Sequence, residues 1–311
     1  MVLAGCSSAP AHHRVARHIK PTPSPSPLPA GPALVQMENG TDSYPHAGVQ
    51  GANLVFEYLT EGGITRLTLV YFNPSGTQKI EPLRSIRLIA LRLRQAYQGV
   101  IIASGASDHV LHLLNTGHIP VVREGLFNQL EGRDPNRQRP HNLYTTGDWM
   151  AEAIRDYKQT RDYALLQPAA PSQTAVGPVN RISFQMTFAH HVAFTYAPAS
   201  KAYTYSSESG VFADTDTGQP VHITNVVLLQ VAHHDAGYTE DVLGADGIDF
   251  DLQGTGPADV YTGGLHYAAR WDLSDPNHPL RLEAPDGTQL ALNDGLTWYC
   301  VIDPGTAVQT G

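Results

Sequence analysis

Alternation of apolar and polar positions predicts a β-hairpin near residue 60. The runs NLVFEYL (53–59) and ITRLTLVYF (64–72) are rich in β-branched and aromatic residues, and the short segment TEGG joins them. A period of two places Phe56 and Tyr58 on one face of the first strand and Glu57 on the other. Glu57 is therefore predicted to be a carboxylate on an apolar face.

A helical period follows the hairpin. In EPLRSIRLIALRLRQAYQG (81–99), apolar residues recur at positions 83, 86, 89 or 90, 93 and 97, which is the spacing of an amphipathic helix. Pro82 suits the first turn of this helix and Gly99 its C-terminal cap. The pattern therefore places Arg84 and Arg87 on one face of the helix, in its first turns.

Two further helices are predicted in the first half of the chain. The apolar strand VIIASG (100–105) precedes SDHVLHLLNTG (107–117), which Ser107 can cap, and HNLYTTGDWMAEAIRDY (141–157) is a loop followed by a helix that Thr145 or Thr146 can cap. A strand, a glycine and a capped helix form one half of an α/β layer. The free amides of such a helix face the carboxyl end of the strand, where anions and ligands often bind.

The second half of the chain is predicted to contain strands only. Beyond the proline-rich segment 166–178, glycine, aspartate and asparagine turns separate β-rich runs, which we place at 181–188, 192–197, 202–206, 224–232, 247–252, 260–271, 280–283 and 297–302. This order predicts an α+β protein with four parts: a tether (1–32), an N-terminal α/β domain (33–165), a linker (166–178) and a β-rich C-terminal domain (179–305). The C-terminal domain is expected to be an antiparallel sandwich or a barrel-like fold.

The N-terminus predicts a lipid anchor. VLAGCSS fits a bacterial lipobox in which Cys6 receives lipid, and a serine, proline and alanine tract follows that cannot build a core and favours an extended tether. The tract carries three cations and no acid between residues 7 and 31, which would add attraction to anionic headgroups. We therefore expect a membrane-anchored protein on the outer face of the bacterial cytoplasmic membrane.

Composition narrows the possible functions. The 311 residues are 41% apolar and carry a formal charge of -9, so a general nucleic-acid binder with a basic face is not expected. No run of about 18 apolar residues occurs that could span a membrane. Cys300 lies in the apolar run LTWYCVI and is predicted to be a buried thiol.

Several motifs, in their order along the chain, resemble the YerB-like family of bacterial lipoproteins. They are FEYLTEGGITRLTLVYF, EPLRSIRLIALRLRQAYQGVIIASGAS, RPHNLYTT, TNVVLLQVAHH, GTGPADVYTGGLHYAARW and LNDGLTWYCVI, and the resemblance covers roughly residues 33 to 303. It implies an N-terminal α/β domain and a C-terminal β-rich domain, both of unknown function, and typically a lipid anchor outside the cytoplasmic membrane. The family resemblance brings no established reaction with it.

The candidate site consists of polar residues that fall at element ends or in loops of the first half. They are Glu57, Glu61, Arg66, Arg84, Arg87, Ser104, Ser107, His141 and Asn142. Three roles are open: an internal network in which the arginines neutralise the two glutamates, an anion site built on paired guanidiniums, and catalysis with a glutamate as base and His141 as acid. We favour the first role. None of the familiar catalytic motifs occurs, so whether the chain is an enzyme stays open.

Two other patterns do not support a metal site. The His-His doublets at 190–191 and 233–234 fall on predicted strands, where neighbouring side chains point to opposite faces. The acidic segment DGIDFDLQG (246–254) lacks the alternating oxygen ligands and the distal glutamate of a calcium loop. We assign no metal and no cofactor. The expected function is non-catalytic binding of an anionic envelope component or a partner protein, and the alternative is an envelope hydrolase or transferase using Glu61, Arg84, Arg87 and His141.

Overall fold

The computed structural model describes residue 1 and residues 32–126, 129–157 and 174–311. Cys6, most of the predicted tether and most of the predicted linker lie outside these residues. The first half contains β1 (Ala33–Glu38), β2 (Leu54–Leu59), β3 (Thr65–Tyr71), β4 (Lys79–Ile80), α1 (Leu88–Tyr97), β5 (Val100–Ala103), α2 (Asp108–Thr116), β6 (Val121–Arg123), β7 (Gly132–Arg133), β8 (Leu143–Thr146) and α3 (Gly147–Asp156).

The second half contributes strands throughout its described residues. They are β9 (Gly177–Pro178), β10 (Arg181–Thr187), β11 (His190–Ala197), β12 (Ala202–Ser207), β13 (Gly210–Val211), β14 (Ala213–Asp214), β15 (Gln219–Pro220), β16 (Asn225–Gln230), β17 (His233–Thr239), β18 (Asp246–Phe250), β19 (Gly254–Thr262), β20 (Leu265–Leu273), β21 (Arg281–Glu283), β22 (Thr297–Ile302) and β23 (Val308–Thr310). With three helices in the described first half, the mixed α+β class expected from the sequence is confirmed.

One central sheet draws strands from both halves of the chain. Its order is β21-β20-β19-β16-β22-β2-β3-β1-β5-β6, and β9 pairs with β20. The two halves join where β2 runs parallel to β22, with Leu54 opposite Thr297 and Glu57 opposite Cys300. Backbone hydrogen bonds therefore connect the halves directly, through strands at opposite ends of the sequence.

The two faces of the central sheet are covered differently. On one face, which we call the small-sheet face, Val35, Leu67 and Trp298 pack against the five-stranded sheet β13-β12-β11-β10-β23 and against α3. On the other, the α1–α2 face, Phe56 and Tyr299 lie among apolar residues of α1, α2 and the segment 280–290. Both faces carry apolar residues because strands that are covered on both sides do not contact water.

The two ends of the sheet differ, and we call them the Pro32 end and the Glu61 end. At the Pro32 end, the described chain enters the fold and the carbonyl oxygen of Pro32 accepts a hydrogen bond from the Val100 amide at 3.0 Å. At the Glu61 end, the β2–β3 hairpin turns through the short 3-10 helix Glu61–Gly63. No helix among the described residues is long and apolar enough to cross a membrane.

The predicted helix over 81–99 is wrong in its first part. Helix α1 begins at Leu88, and Arg87 is its extended N-cap residue with φ -121° and ψ 163°. Leu83 and Ile86 instead form β-bridges to Met37 and Ala106. These residues form tertiary β-bridges instead of a helical turn, because their apolar spacing fits a buried extended segment as well as a helix.

Other boundaries agree better with the sequence. The hairpin, the α2 cap and the α3 cap are confirmed: Ser107 accepts a hydrogen bond from the Val110 amide and Thr146 accepts one from the Trp149 amide. The single run predicted at 260–271 is wrong, because Gly263 and Gly264, with φ of 60° and 76°, turn the chain into the β19–β20 hairpin. Positive φ suits glycine, which lacks the Cβ that makes this region costly.

Candidate functional site

Glu57 is fully buried on the small-sheet face, as its place on an apolar face predicted. Its carboxylate lies within hydrogen-bond distance of five side chains from both halves of the chain: Asn39 Nδ2 at 3.0 Å, Thr65 Oγ1 at 2.9 Å, His190 Nε2 at 3.1 Å, Tyr205 Oη at 3.0 Å and Trp298 Nε1 at 2.9 Å. Buried charge of this kind is stable only when such partners replace the lost water. Glu57 therefore ties the two halves together.

His190 connects this buried carboxylate to the surface. Its Nε2 faces Glu57, while its Nδ1 lies 2.5 Å from Oε1 of Glu208, whose side chain is 37% exposed. Burial lowers the pKa of His190, but its hydrogen bonds to Glu57 and Glu208 outweigh burial and raise that pKa to about 9. A protonated imidazole between two carboxylates results.

The expected pairing of Glu57 with an arginine is wrong. Across the β2–β3 hairpin Glu57 lies opposite Leu67, whereas Arg66 lies opposite Tyr58. Residues directly opposite in an antiparallel pair share a face, so Arg66 lies on the α1–α2 face and Glu57 on the small-sheet face. The nine candidate residues therefore do not form one cluster.

Arg87 is the centre of a second, separate cluster at the Glu61 end. Its Nε donates to Glu61 Oε2 at 2.8 Å, its Nη2 also bonds Glu61, and its Nη1 lies 3.3 Å from Glu240 Oε1. The pairing of Glu61 with Arg87 is the part of the predicted network that the structure contains. Burial raises the pKa of Glu61, but the Arg87 guanidinium outweighs burial and holds that pKa below its usual value.

Arg66 is buried beside this pair without a carboxylate of its own. Within the described residues no carboxylate lies within ion-pair distance, Nη1 donates to the Ser85 carbonyl at 3.0 Å, and Nε has no hydrogen-bond partner. Burial, and after it the positive charge of Arg87, lower the pKa of Arg66 to about 10. The negative charges of Glu61 and Glu38 raise the pKa of Arg66, but neither carboxylate lies within ion-pair distance of its guanidinium.

Arg84 and His141 share a third carboxylate. Nε of Arg84 lies 3.3 Å from Oε1 of Glu38, and Nδ1 of His141 lies 2.7 Å from Oε2. Because the segment that carries Arg84 is extended, Arg84 and Arg87 do not present a common helical face, and the predicted paired guanidiniums are not formed. Each of the two arginines is already paired with acid.

The three remaining candidate residues, Ser104, Ser107 and Asn142, make contacts that stabilise the fold. Ser107 caps α2, and the half-buried Ser104 donates its amide to the carbonyl of Arg84 at 3.1 Å. Asn142 accepts a hydrogen bond from Arg133 at 2.5 Å and donates one to the carbonyl of Asp134 at 3.1 Å. Among the described residues no group of three or more His, Cys, Asp or Glu is arranged to hold a metal ion.

A cavity of about 480 Å³ lies at the other end of the molecule. It opens between Phe72 and Tyr97 of the first half and the segment 278–295 of the second, on the α1–α2 face at the Pro32 end. Its floor includes Tyr299, whose ring stacks on Phe56 with centroids 4.5 Å apart.

A partly buried polar network holds one wall of the cavity. Asn225 donates to the Asn293 carbonyl at 2.8 Å and to Thr297 Oγ1 at 3.0 Å, and Asn293 donates to Thr262 Oγ1 at 2.8 Å. Both Asn293 and Thr297 line the cavity. These hydrogen bonds within the protein hold the wall in place.

Sequence reasoning missed the partners that the second half supplies. His190 was treated only as one of a doublet, although the apolar residues Val192 and Phe194 share its face and predict burial. Tyr205, Trp298 and Glu240 carry no local signal for their contacts with the first half. Their contacts depend on strand pairing between distant segments.

The fold and the cavity define a mixed α+β protein whose two halves share one sheet and enclose a site of ligand size. The profile described as the N-terminal domain of a protein of unknown function (DUF3048) matches residues 21–181, and the profile of the C-terminal domain of that family matches residues 182–299. The chain belongs to this family.

Similar proteins agree with that assignment. The Bacillus subtilis (strain 168) protein named "Putative lipoprotein YerB" is 26% identical over 283 residues, which cover 87% of this chain and 81% of the relative. The crystal structure of the YerB protein from Bacillus subtilis matches with a TM-score of 0.74 at 22% identity, over 91% of this chain and 94% of that one. The family resemblance expected from the sequence is confirmed, and the structural match shows a common fold.

Proposed function

We propose that this protein is a lipid-anchored, extracytoplasmic binding protein that takes a component of the cell envelope into the cavity between its two halves. The lipobox at Cys6 and the printed name of the Bacillus subtilis relative support the anchor. The cavity supports binding. Its volume of about 480 Å³ is within the range usual for small-molecule sites, and both halves of the chain contribute to its lining.

The position of the ligand differs from the sequence-based expectation. The sequence predicts an anionic component or a partner protein held by Arg84 and Arg87. Because Glu38 and Glu61 already neutralise these arginines, we place the ligand in the cavity and assign the arginine cluster to stabilising the fold. An ion pair inside the protein leaves little charge for a guest.

The enzymatic alternative lacks a supporting contact and stays a prediction. It requires Glu61 as a free base and His141 as a free acid, whereas Glu61 bonds Arg87 and His141 bonds Glu38. A carboxylate held by a guanidinium is a poor proton acceptor, because its pKa is lowered. Incubation of the protein with envelope fragments, followed by mass analysis for cleaved products, tests this alternative directly.

Native mass spectrometry of the full chain against solubilised envelope fragments tests binding. Leu292 lines the cavity, so Leu292→Trp should fill part of it and remove adducts. Leu243→Trp is the matched control, since Leu243 is 90% exposed and lies in the β17–β18 turn, outside the cavity. Equal adducts in all three proteins would exclude the cavity as the site, and no adduct in the unmodified chain would refute binding.

Metabolic labelling tests the anchor. Labelled palmitate should enter the full-length chain in a bacterial host and should fail to enter Cys6→Ala. Cys300→Ala is the control and should keep the label, because Cys300 is buried in β22. Labelling of Cys6→Ala would refute the anchor without bearing on the cavity.

A further inference from the structure

Three polar side chains that line the cavity have no partner among the described residues. The hydroxyl of Tyr299, the amide of Gln289 and the carboxylate of Asp294 form no hydrogen bond or ion pair with the described residues. Asp294 is exposed and Gln289 is half-buried, whereas Tyr299 as a residue is only 4% exposed. The Tyr299 hydroxyl is not one of the fully enclosed polar atoms, so it faces the cavity and can form a hydrogen bond with a ligand or water there.

Apolar surface lies beside these polar groups. Phe72 and Leu292 line the cavity and are half-buried, and the Tyr299 ring is backed by Phe56. A ligand that fits must therefore offer both an apolar surface and several hydrogen-bonding groups at its edge. A sugar ring has this character, with C–H groups on its faces and hydroxyls around its rim.

The charged side chains that border the cavity do not favour an anionic ligand. Arg281 and the exposed Asp294 both border it, so one cation and one acid offset each other, and Arg281 lies opposite Asp272 in the neighbouring strand. Nε2 of His278 lies 3.3 Å from Asp275 Oδ2. A phosphate or a carboxylate would therefore meet no net positive charge here.

The cavity and the start of the tether lie at the same end of the sheet. Pro32 contacts the Val100 amide directly after Gly99, and Tyr97 on the preceding turn lines the cavity. The described chain therefore enters the fold beside the cavity.

From these observations we infer that the cavity binds an uncharged saccharide, with the Tyr299 hydroxyl donating or accepting a hydrogen bond and the Asp294 carboxylate accepting one from the sugar hydroxyls. This inference rests on the proposed function and adds the chemical class of the ligand. The sugar can be a soluble glycan or the headgroup of a glycolipid, since both present the same ring to the cavity.

Isothermal titration calorimetry on the full chain tests the ligand class. The probes are two neutral disaccharides, N,N′-diacetylchitobiose and maltose, and two acidic sugars, N-acetylmuramic acid and glucose 1-phosphate. At least one neutral disaccharide should bind, and Tyr299→Phe and Asp294→Asn should each weaken it by roughly tenfold, the effect of one lost hydrogen bond. Tyr267→Phe and Asp246→Asn, which lie outside the cavity, should bind like the unmodified chain.

The outcomes separate this inference from the proposed function. If no neutral sugar binds, or only acidic ones do, while Leu292→Trp still removes envelope adducts, the saccharide inference is wrong and the binding function stands. If Leu292→Trp affects neither sugar nor envelope binding, both proposals fail. Neutral sugar binding that Tyr299→Phe and Asp294→Asn leave unchanged would also overturn the assignment to this cavity.

Vesicles distinguish the two sources of the sugar. Cys6→Ala, which lacks the anchor, is sedimented with neutral phospholipid vesicles that contain or lack diglucosyl diacylglycerol. Retention only on the glycolipid vesicles assigns a lipid-linked ligand, and binding of the free disaccharide alone assigns a soluble glycan. Equal retention on both kinds of vesicle, together with no binding of free sugar, would contradict the inference.

Discussion

Glu57 and Arg66 lie on opposite faces of one β-hairpin, so neither neutralises the other. Glu57 finds its partners in the second half of the chain, chiefly His190, Tyr205 and Trp298, while Arg66 remains beside the Glu61–Arg87 pair. The first contact set joins the two halves, and the second stabilises the turn of the hairpin.

Glu57→Gln should lower the free energy of unfolding by roughly 3 kcal/mol, because it leaves a buried imidazolium and several donors without a charged acceptor. Urea unfolding of the full chain measures this change. Glu208→Gln is the control, and its loss should be below about 1 kcal/mol, since that carboxylate is partly exposed and screened by water. Equal losses in the two variants would contradict the role given to Glu57.

His190 should make stability fall at alkaline pH. Its folded pKa of about 9 is above the unfolded value of 6.5, so the folded state retains its proton longer. The stabilisation is complete below pH 6.5 and is lost as the pH rises through about 9, with a total of roughly 3 kcal/mol.

Unfolding free energies measured between pH 6 and pH 10 check this dependence. His190→Gln should remove most of the decline relative to the unmodified chain. His191→Gln offers the matched control, because its side chain is exposed on the same strand and should leave the slope unchanged. An unaltered slope in His190→Gln would assign the decline to other groups.

Arg87→Met should destabilise the fold more than Arg66→Met does. Removal of Arg87 leaves the half-buried Glu61 and the buried Glu240 without their cation, at a cost of roughly 3–5 kcal/mol. Removal of Arg66 loses one hydrogen bond to Ser85 and relieves repulsion with Arg87, so roughly 1 kcal/mol or less is expected. Chemical unfolding of both variants gives the order, and the reverse order would refute this account of the cluster.

Gly295→Ala should disturb the wall of the cavity. Gly295 has φ of 134°, and a Cβ there would lie 2.0 Å from Thr224 Oγ1. Thermal unfolding should show a loss of roughly 1–3 kcal/mol. Gly287→Ala, at φ of 82° in open space, should cost only about 1 kcal/mol. Equal losses would show that the backbone conformation alone matters at Gly295.

Local structure could be predicted well where a local signal exists. The β2–β3 hairpin, the Ser107 cap and the burial of Cys300 follow from turn glycines, a capping hydroxyl and an apolar run. The segment 81–87 could not be assigned correctly, since its apolar spacing also fits an extended segment. Its conformation depends on the bridges that Leu83 and Ile86 make to Met37 and Ala106.

The candidate site shows the same limit. Alternation along β2 indicated that Glu57 is buried, but no local pattern could name His190 or Trp298 as its partners, because these residues are far apart in the sequence. The cavity shows it too, because its lining from Phe72 to Tyr299 depends on how the segment 278–295 packs.

The amino-acid sequence by itself determined the α+β class, the order of the local elements, the family and the side of the strand on which Glu57 lies, because propensity and periodicity act between near neighbours. Only the tertiary structure decided that β2 pairs with β22, that Glu57 and Arg66 are separated by the sheet, and that polar side chains from distant segments line one cavity. The physical reason is that hydrogen bonds and burial between distant segments produce no recognisable pattern in the sequence of either segment alone.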